Sequence, residues 1–232
     1  MQESSGKLYK QGKIQSITGF GKFKTSSAFG TVLRAIDQDW KILIVQFLKG
    51  SETGEINIMR KYFSNNVKIM RYGANKIVLP NNIEAFDKEE TQRGWLEMLD
   101  ELNNNHYDML ILDEVHVALD MKLLQQYQYF DFLKDKHKDL EIISTGRVTD
   151  KALMQKIELA SDLHTDAMCK KHYFNRKCPV CKRSWEYYMH FCPNDGAELN
   201  SPTFARKGVE YVFLFGIFYN IFMIFLGGFL NV

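Results

Sequence analysis

The sequence predicts an α/β protein in three layers, with a mainly parallel sheet between helices. Three observations carry the prediction. Residues 41–47, 110–114 and 140–145 are nearly unbroken apolar runs, and strands without polar alternation suit a sheet buried on both faces. Helical periodicity fills the gaps, at 83–102, 122–134 and 150–159, and strands alternating with helices imply crossover units. A further apolar run at 13–18 leads through a glycine-bearing turn into a helix over 26–36.

That first turn is the most informative stretch. It reads Ile17-Thr18-Gly19-Phe20-Gly21-Lys22-Phe23-Lys24-Thr25-Ser26-Ser27. Strand, glycine turn with Lys-Thr, then helix is the sequence shape of a phosphate-binding P-loop. Backbone N–H groups and the helix N-terminus cradle phosphate oxygens, a lysine neutralises them, and a hydroxyl reaches Mg²⁺. Lys24 and Thr25 take those places, with Ser26 behind them. The usual pattern has glycine where this chain has Phe23, and again where it has Thr18. A glycine turn without a ligand is the alternative reading of the local string.

The second run, 41–47, leads into Gln46-Phe47-Leu48-Lys49-Gly50. The third ends abruptly in Asp113-Glu114, two carboxylates at the carboxyl end of a buried strand, where open α/β sheets bind ligands and where P-loop proteins order Mg²⁺. A strand end with solvated acids is the bland alternative. The run at 140–145 leads into Thr145-Gly146-Arg147. His106, His116, His137 and His164 have no ligand-like neighbours in sequence and read as structural or surface residues.

At 232 residues the chain is long enough for one such domain plus a small module. A formal net charge of +2 gives no reason to expect a nucleic-acid partner. Residues 1–11 are polar, without the apolar core of a secretory signal; the chain is cysteine-free through Met168 and suggests no disulfide framework, so a reducing cytoplasm is the expected location of the main domain. All four cysteines fall within 169–192. Cys178-Pro179-Val180-Cys181, ten residues, then Cys192-Pro193-Asn194-Asp195 reads as two knuckles of a zinc ribbon. Cys178, Cys181, Cys192 and Asp195 are the expected Zn²⁺ ligands, with His190 or Cys169 as substitutes for the fourth. Free cysteines in a loop are the alternative. From Tyr211 to Val232 no residue is charged. That length suits a bilayer core of roughly 30 Å. A membrane-tethering helix is expected over 212–232, the alternative being a helix packed on the domain or across a dimer.

Taken together, the strings resemble the ATP:corrinoid adenosyltransferases of the P-loop type. They carry the likeness in the family's order: the loop 18–25, Leu33-Arg34-Ala35, Val45-Gln46-Phe47-Leu48-Lys49-Gly50, Gly54-Glu55, Leu112-Asp113-Glu114, Thr145-Gly146-Arg147 and Ala160-Ser161-Asp162-Leu163. Lys171-His172-Tyr173-Phe174 and Ala205-Arg206-Lys207-Gly208-Val209-Glu210-Tyr211 look like the family's closing segments. The resemblance implies a P-loop NTPase-like domain at 13–174, preceded by a polar segment at 1–12. A ribbon insert at 175–200 and a closing segment at 201–211 then precede the tail.

The resemblance also implies a reaction: a Co(I) corrinoid attacks the 5′ carbon of ATP and triphosphate leaves. Gly19, Gly21, Lys22, Phe23, Lys24, Thr25, Ser26, Arg34, Gln46 and Lys49 would surround the nucleotide. Thr25 and Asp113 would hold Mg²⁺, with Glu114 and Arg147 beside them. The implied partners are ATP, the corrinoid, a cobalt reductase and a second copy of the chain. Segment 71–80 lacks the aromatic pair that many members set against the corrinoid. A relative without turnover, binding nucleotide or corrinoid for regulation or delivery, is the second reading, and a different P-loop ATPase a third.

Overall fold

The computed structural model describes residues 11–74, 78, 82–168, 174–182, 184–186 and 203–204. In chain order the elements are β1 (Ile14–Thr18), α1 (Lys24–Ile36), β2 (Ile42–Gln46), α2 (Gly54–Tyr62), β3 (Val67–Arg71), α3 (Ala85–Asn104) and β4 (Met109–Asp113). There follow α4 (Val115–Asp120), α5 (Gln126–Asp135), β5 (Glu141–Thr145), α6 (Lys151–Ala160), β6 (Leu163–Asp166), β7 (Phe174–Lys177), β8 (Ser184–Glu186) and β9 (Thr203–Phe204). The chain divides into two compact units between Met168 and Cys169.

In the first unit six strands run in the order β3-β2-β4-β5-β1-β6, every pair parallel. The apolar runs are buried on both faces, as expected, and the strand period of two sorts them. Ile42 and Ile44 of β2, Ile111 of β4 and Ile143 of β5 share one core with Ala28, Phe29 and Val32 of α1 and Ile56 and Met59 of α2. Leu43, Val45, Leu110, Leu112 and Ile142 point the other way. They pack with Trp95 and Met98 of α3, Leu119 of α4, Tyr129 of α5 and Leu153 of α6. This is the three-layer architecture.

Several boundaries differ from expectation. The helix expected over 122–134 starts only at Gln126, where Gln125 and Gln128 form a reciprocal capping box. Lys122 takes a left-handed φ of 58°, and Leu123 and Leu124 bury themselves as core plugs under the turn. Their N–H groups both donate to Ala118 O, closing α4 instead of opening α5. α2 and α4 were not anticipated, since helices of 9 and 6 residues carry too few turns to show a period. β6, with the sequence Leu-His-Thr-Asp, is an exposed edge strand whose character comes from pairing with β1.

The second unit contains an antiparallel sheet in the order β8-β7-β9. Cys178 and Cys181 lie in the turn between β7 and β8. Cys169, His190, Cys192, Asp195 and the tail at 212–232 lie outside the described residues. Among the described residues no helix is long and apolar enough to cross a membrane.

Candidate functional site

Parallel order brings the carboxyl ends of β1, β2, β4 and β5 to one edge of the sheet, and the loops leaving that edge make the site. The loop after β1 is held by the chain following β6. Gly21 N–H donates to Ala167 O at 2.7 Å, and Ala167 N–H donates to Thr18 O at 2.9 Å. Gly19 has φ 96°, and a Cβ there would stand 2.2 Å from Asp166 Oδ1 and 2.4 Å from Ala167 O, so only glycine fits. Phe23 closes the loop at φ 75°, ψ 1° as the N-cap of α1. It thus adopts the backbone that a glycine would supply, and its ring points outward, 72% exposed. α1 starts without a side-chain cap and without an acid in its first turn. The helix itself therefore supplies no acid to its N-terminal N–H groups and positive dipole end. Lys24, at the first helical position, is buried and donates from Nζ to Gly21 O at 2.8 Å.

Asp113 is the hub. Its side chain is fully buried at the end of β4 and gathers donors from four segments. Thr25 Oγ1 donates to Oδ1 at 2.9 Å and Thr145 Oγ1 to the same oxygen at 2.7 Å. Gln46 Nε2 donates to Oδ2 at 2.8 Å, and Lys49 Nζ pairs with Oδ2 at 2.5 Å. Lys49 Nζ also donates to Thr25 Oγ1 at 3.0 Å. The hydroxyl after the P-loop lysine and the carboxylate that ends β4 therefore touch, 88 residues apart in sequence.

Glu114 follows at φ 62°, an uncommon backbone for a residue with a side chain. Thr145 Oγ1 accepts from its N–H at 3.0 Å. Its Oε2 is buried and has no hydrogen-bond partner among the described residues. Burial, and then the charge of Asp113, push its carboxyl above the ordinary carboxylate range, against the pull of Lys49, Arg147 and Lys24. One layer behind, His116 is buried and stays neutral, its pKa lowered to about 3 by desolvation, with Nε2 3.2 Å from Tyr129 Oη. His164 bridges Ser16 at 2.8 Å and Thr18 at 3.1 Å and so fixes β6 beside β1. Both side chains make their contacts within the fold.

Comparison with known proteins now places the chain. The sequence model of the family described as ATP:corrinoid adenosyltransferase BtuR/CobO/CobP matches residues 10–184. The chain belongs to this family. A corrinoid adenosyltransferase of Sinorhizobium is 26% identical over 170 residues, covering 72% of this chain and 77% of that protein. The corrinoid adenosyltransferase of Escherichia coli K12 is 26% identical over 155 residues, covering 66% and 77%. An uncharacterized protein of Nostoc sp. PCC 7120 is 34% identical over 173 residues, covering 70% of this chain but only 45% of its own length. This chain thus spans under half of the Nostoc relative.

Set against the corrinoid adenosyltransferase pattern, the fold gathers Thr25, Gln46, Lys49 and Asp113 into one bonded cluster, with Lys24 next to Thr25 at the start of α1 and bonded to Gly21 O. Gly19 and Gly21 shape the loop beside it. Ser26 faces α2, donating to Glu55 Oε1 at 3.2 Å. Lys22 is exposed at the loop tip, and Arg147 is half-buried, near enough to stabilise the charge of Glu114. Arg34 is not brought in. It sits in the last turn of α1, ten residues and about 15 Å along the axis from Lys24. Thr145 and Glu55 were missed as site residues. Thr145 was visible as a hydroxyl ending the strand next to the acid-ending strand, but that adjacency exists only in the sheet order. Glu55 sits in the first turn of α2, and its carboxyl lies below the ordinary range, first through its own backbone hydrogen bond and further through Thr53, Ser26 and Lys49.

In the second unit the chain turns tightly at Cys178. Val180 N–H and Cys181 N–H both donate to Cys178 Sγ at 3.3 Å, and Lys182 turns the chain at φ 61°.

Proposed function

We propose that the protein transfers the 5′-deoxyadenosyl group of ATP to a Co(I) corrinoid. The cobalt electron pair attacks C5′, the cobalt–carbon bond forms, the C5′–O bond breaks, and triphosphate departs with the bonding pair. Cobalt supplies the nucleophile, so no general base is required, and the protein's contribution is positioning and leaving-group electrostatics. The observation that carries this reading is the contact of Thr25 with Asp113 beside an uncapped helix start, in a chain of this family. The backbone of the loop and the N-terminus of α1 bind the triphosphate, with Lys24 exchanging Gly21 O for a phosphate oxygen. Lys22 extends the positive field at the loop tip, and Arg147 does so across the edge.

The donor set fits Mg²⁺. Thr25 Oγ1 and Asp113 are hard oxygen ligands, and Mg²⁺ takes one or two protein oxygens with the phosphates completing its shell. When bound it spreads the charge of the departing triphosphate. Thr145 and Gln46 keep Asp113 oriented. Phe23, exposed beside the loop, offers an apolar face to the ribose or the corrinoid.

In the second unit Cys178 and Cys181 supply half of a structural Zn²⁺ site completed by Cys192 and Asp195. The segment 212–232 tethers a cytoplasmic domain to a membrane. A cobalt reductase and a second copy of the chain are the remaining proposed partners.

The decisive measurement is spectroscopic: Co(I) corrinoid mixed with MgATP and protein, following appearance of the alkyl-cobalt spectrum. Wild type should convert the corrinoid and release inorganic triphosphate, and Lys24→Ala should do neither. Triphosphate or phosphate release without alkyl-cobalt would assign the chain to the hydrolases and overturn the proposal.

A further inference from the structure

We infer that Lys49 is an internal cation that holds the divalent-metal position against Asp113 and Thr25 until the metal arrives with triphosphate, and that its ammonium then passes to the triphosphate. The inference rests on the reading of this edge as a metal–triphosphate site. Lys49 Nζ lies 2.5 Å from Asp113 Oδ2 and 3.0 Å from Thr25 Oγ1. Those are the two oxygens whose chemistry suits a hard cation, and one ammonium touches both. Asp113 is fully buried, while the Lys49 side chain is 22% exposed, so of the pair it is Lys49 that reaches solvent. A cation entering from solvent meets Lys49 before it meets the carboxylate.

Charge explains the arrangement. A buried carboxylate without a counter-charge is strongly unfavourable. The neutral donors Gln46 and Thr145 satisfy its lone pairs but supply no net charge. Lys49 supplies it. Once a divalent cation binds the same two oxygens, an ammonium beside it is repelled by like charge and leaves. The backbone allows that movement to be confined to the side chain. Lys49 N–H donates to Tyr72 O at 3.1 Å, and Leu48 stands at φ 57°. Gly73 admits this chain so closely that a Cβ there would lie 2.8 Å from Leu48 Cα and from Lys49 N. The Cα of Lys49 is thereby anchored, and its flexible stem swings from a point already within reach of Thr25. Since Thr25 is the second residue of α1, the ammonium needs only a side-chain rotation to meet an anion at the helix start.

This role predicts a gain where a merely structural role predicts a loss. Among the described residues no three His, Cys, Asp or Glu side chains converge, so metal alone should bind wild type weakly and triphosphate should strengthen it. The test is a Mn²⁺ titration of full-length protein, following free Mn²⁺ by electron paramagnetic resonance, with and without inorganic triphosphate. Without triphosphate, Lys49→Met should bind Mn²⁺ about tenfold more tightly than wild type, because the competing cation is gone. Its triphosphate affinity should fall, because the transferred charge is gone. Asp113→Asn should bind no Mn²⁺ in either condition. The Mn²⁺-induced rise in melting temperature should be larger in Lys49→Met than in wild type, and Lys49→Gln provides the same comparison should the methionine variant fold poorly. Mn²⁺ affinity equal to or below wild type in these variants, with wild type still binding Mn²⁺–triphosphate, overturns the Lys49 role alone. Absence of Mn²⁺ binding by every protein even with triphosphate overturns the metal–triphosphate reading and the Lys49 role together.

Discussion

Replacing Phe23 separates the backbone of the phosphate loop from its side chain. Phe23 stands at φ 75°, ψ 1°, a left-handed conformation that costs an L-residue roughly 1–2 kcal/mol and glycine almost nothing. Phe23→Gly removes that strain, but glycine gives back roughly 0.5–1 kcal/mol in unfolded-chain entropy. Phe23→Ala keeps the strain and loses the same ring. The ring is 72% exposed, so either variant forfeits only about a quarter of the roughly 1.5–3 kcal/mol that full burial of a phenylalanine supplies. The glycine variant should therefore be more stable than the alanine variant by about 0.5–1 kcal/mol, or roughly 1–4 °C in melting temperature for a domain of this size. Paired thermal melts measure this directly. Because the loop backbone already has the glycine conformation, calorimetric titration with a non-hydrolysable MgATP analogue should give affinities within about threefold for wild type and Phe23→Gly. Adenosyl transfer should drop in both variants if the ring contacts ribose or corrinoid. Phe23→Ala melting at or above Phe23→Gly would refute the strain argument. A gain of more than about tenfold in nucleotide affinity on Phe23→Gly would show that the ring obstructs the phosphates.

Three further outcomes are expected. Thr145→Val, close in shape, removes the hydroxyl that donates to Asp113 Oδ1 and accepts from Glu114 N–H; it should cost about 2–3 kcal/mol in urea unfolding, typical of losing a buried bond to a charged group. Glu114 has a folded-state pKa raised above 4.5, so the unfolded chain binds fewer protons and stability is lost as pH rises from about 4.5 through the folded value; Glu114→Gln should flatten that decline in melts taken across pH, and an unchanged slope counts against it. Cys178→Ser should release about one Zn²⁺ per chain by elemental analysis and disturb the β7–β8 sheet while the six-stranded sheet still melts cooperatively.

Much of the fold was legible because its signals are local. Unbroken apolar runs such as Leu110-Ile111-Leu112 state burial on both faces without reference to any partner, and their alternation with helical periods states a parallel sheet. The P-loop shape and the acid pair at the end of β4 were legible for the same reason: each lies on one short stretch of chain. Features defined by neighbours across the fold were not legible. β6 is polar and exposed and becomes a strand only by pairing with β1. Leu123 and Leu124 carry helical periodicity, yet the core needed two plugs there, and the capping box at Gln125 moved the helix start beyond them.

The sequence by itself determined which residue types stand at the ends of the strands, and so which chemistry the edge can perform. Only the tertiary structure decided which of those ends are neighbours. The order β3-β2-β4-β5-β1-β6 sets β5 between the loop strand and the acid strand, and so makes Thr145 the link between Asp113 and Glu114. It also carries Lys49 onto Asp113 and leaves Arg34 at the far end of α1. Spacing along the chain cannot encode these distances, because a parallel sheet joins strands through crossovers whose order the local sequence does not record.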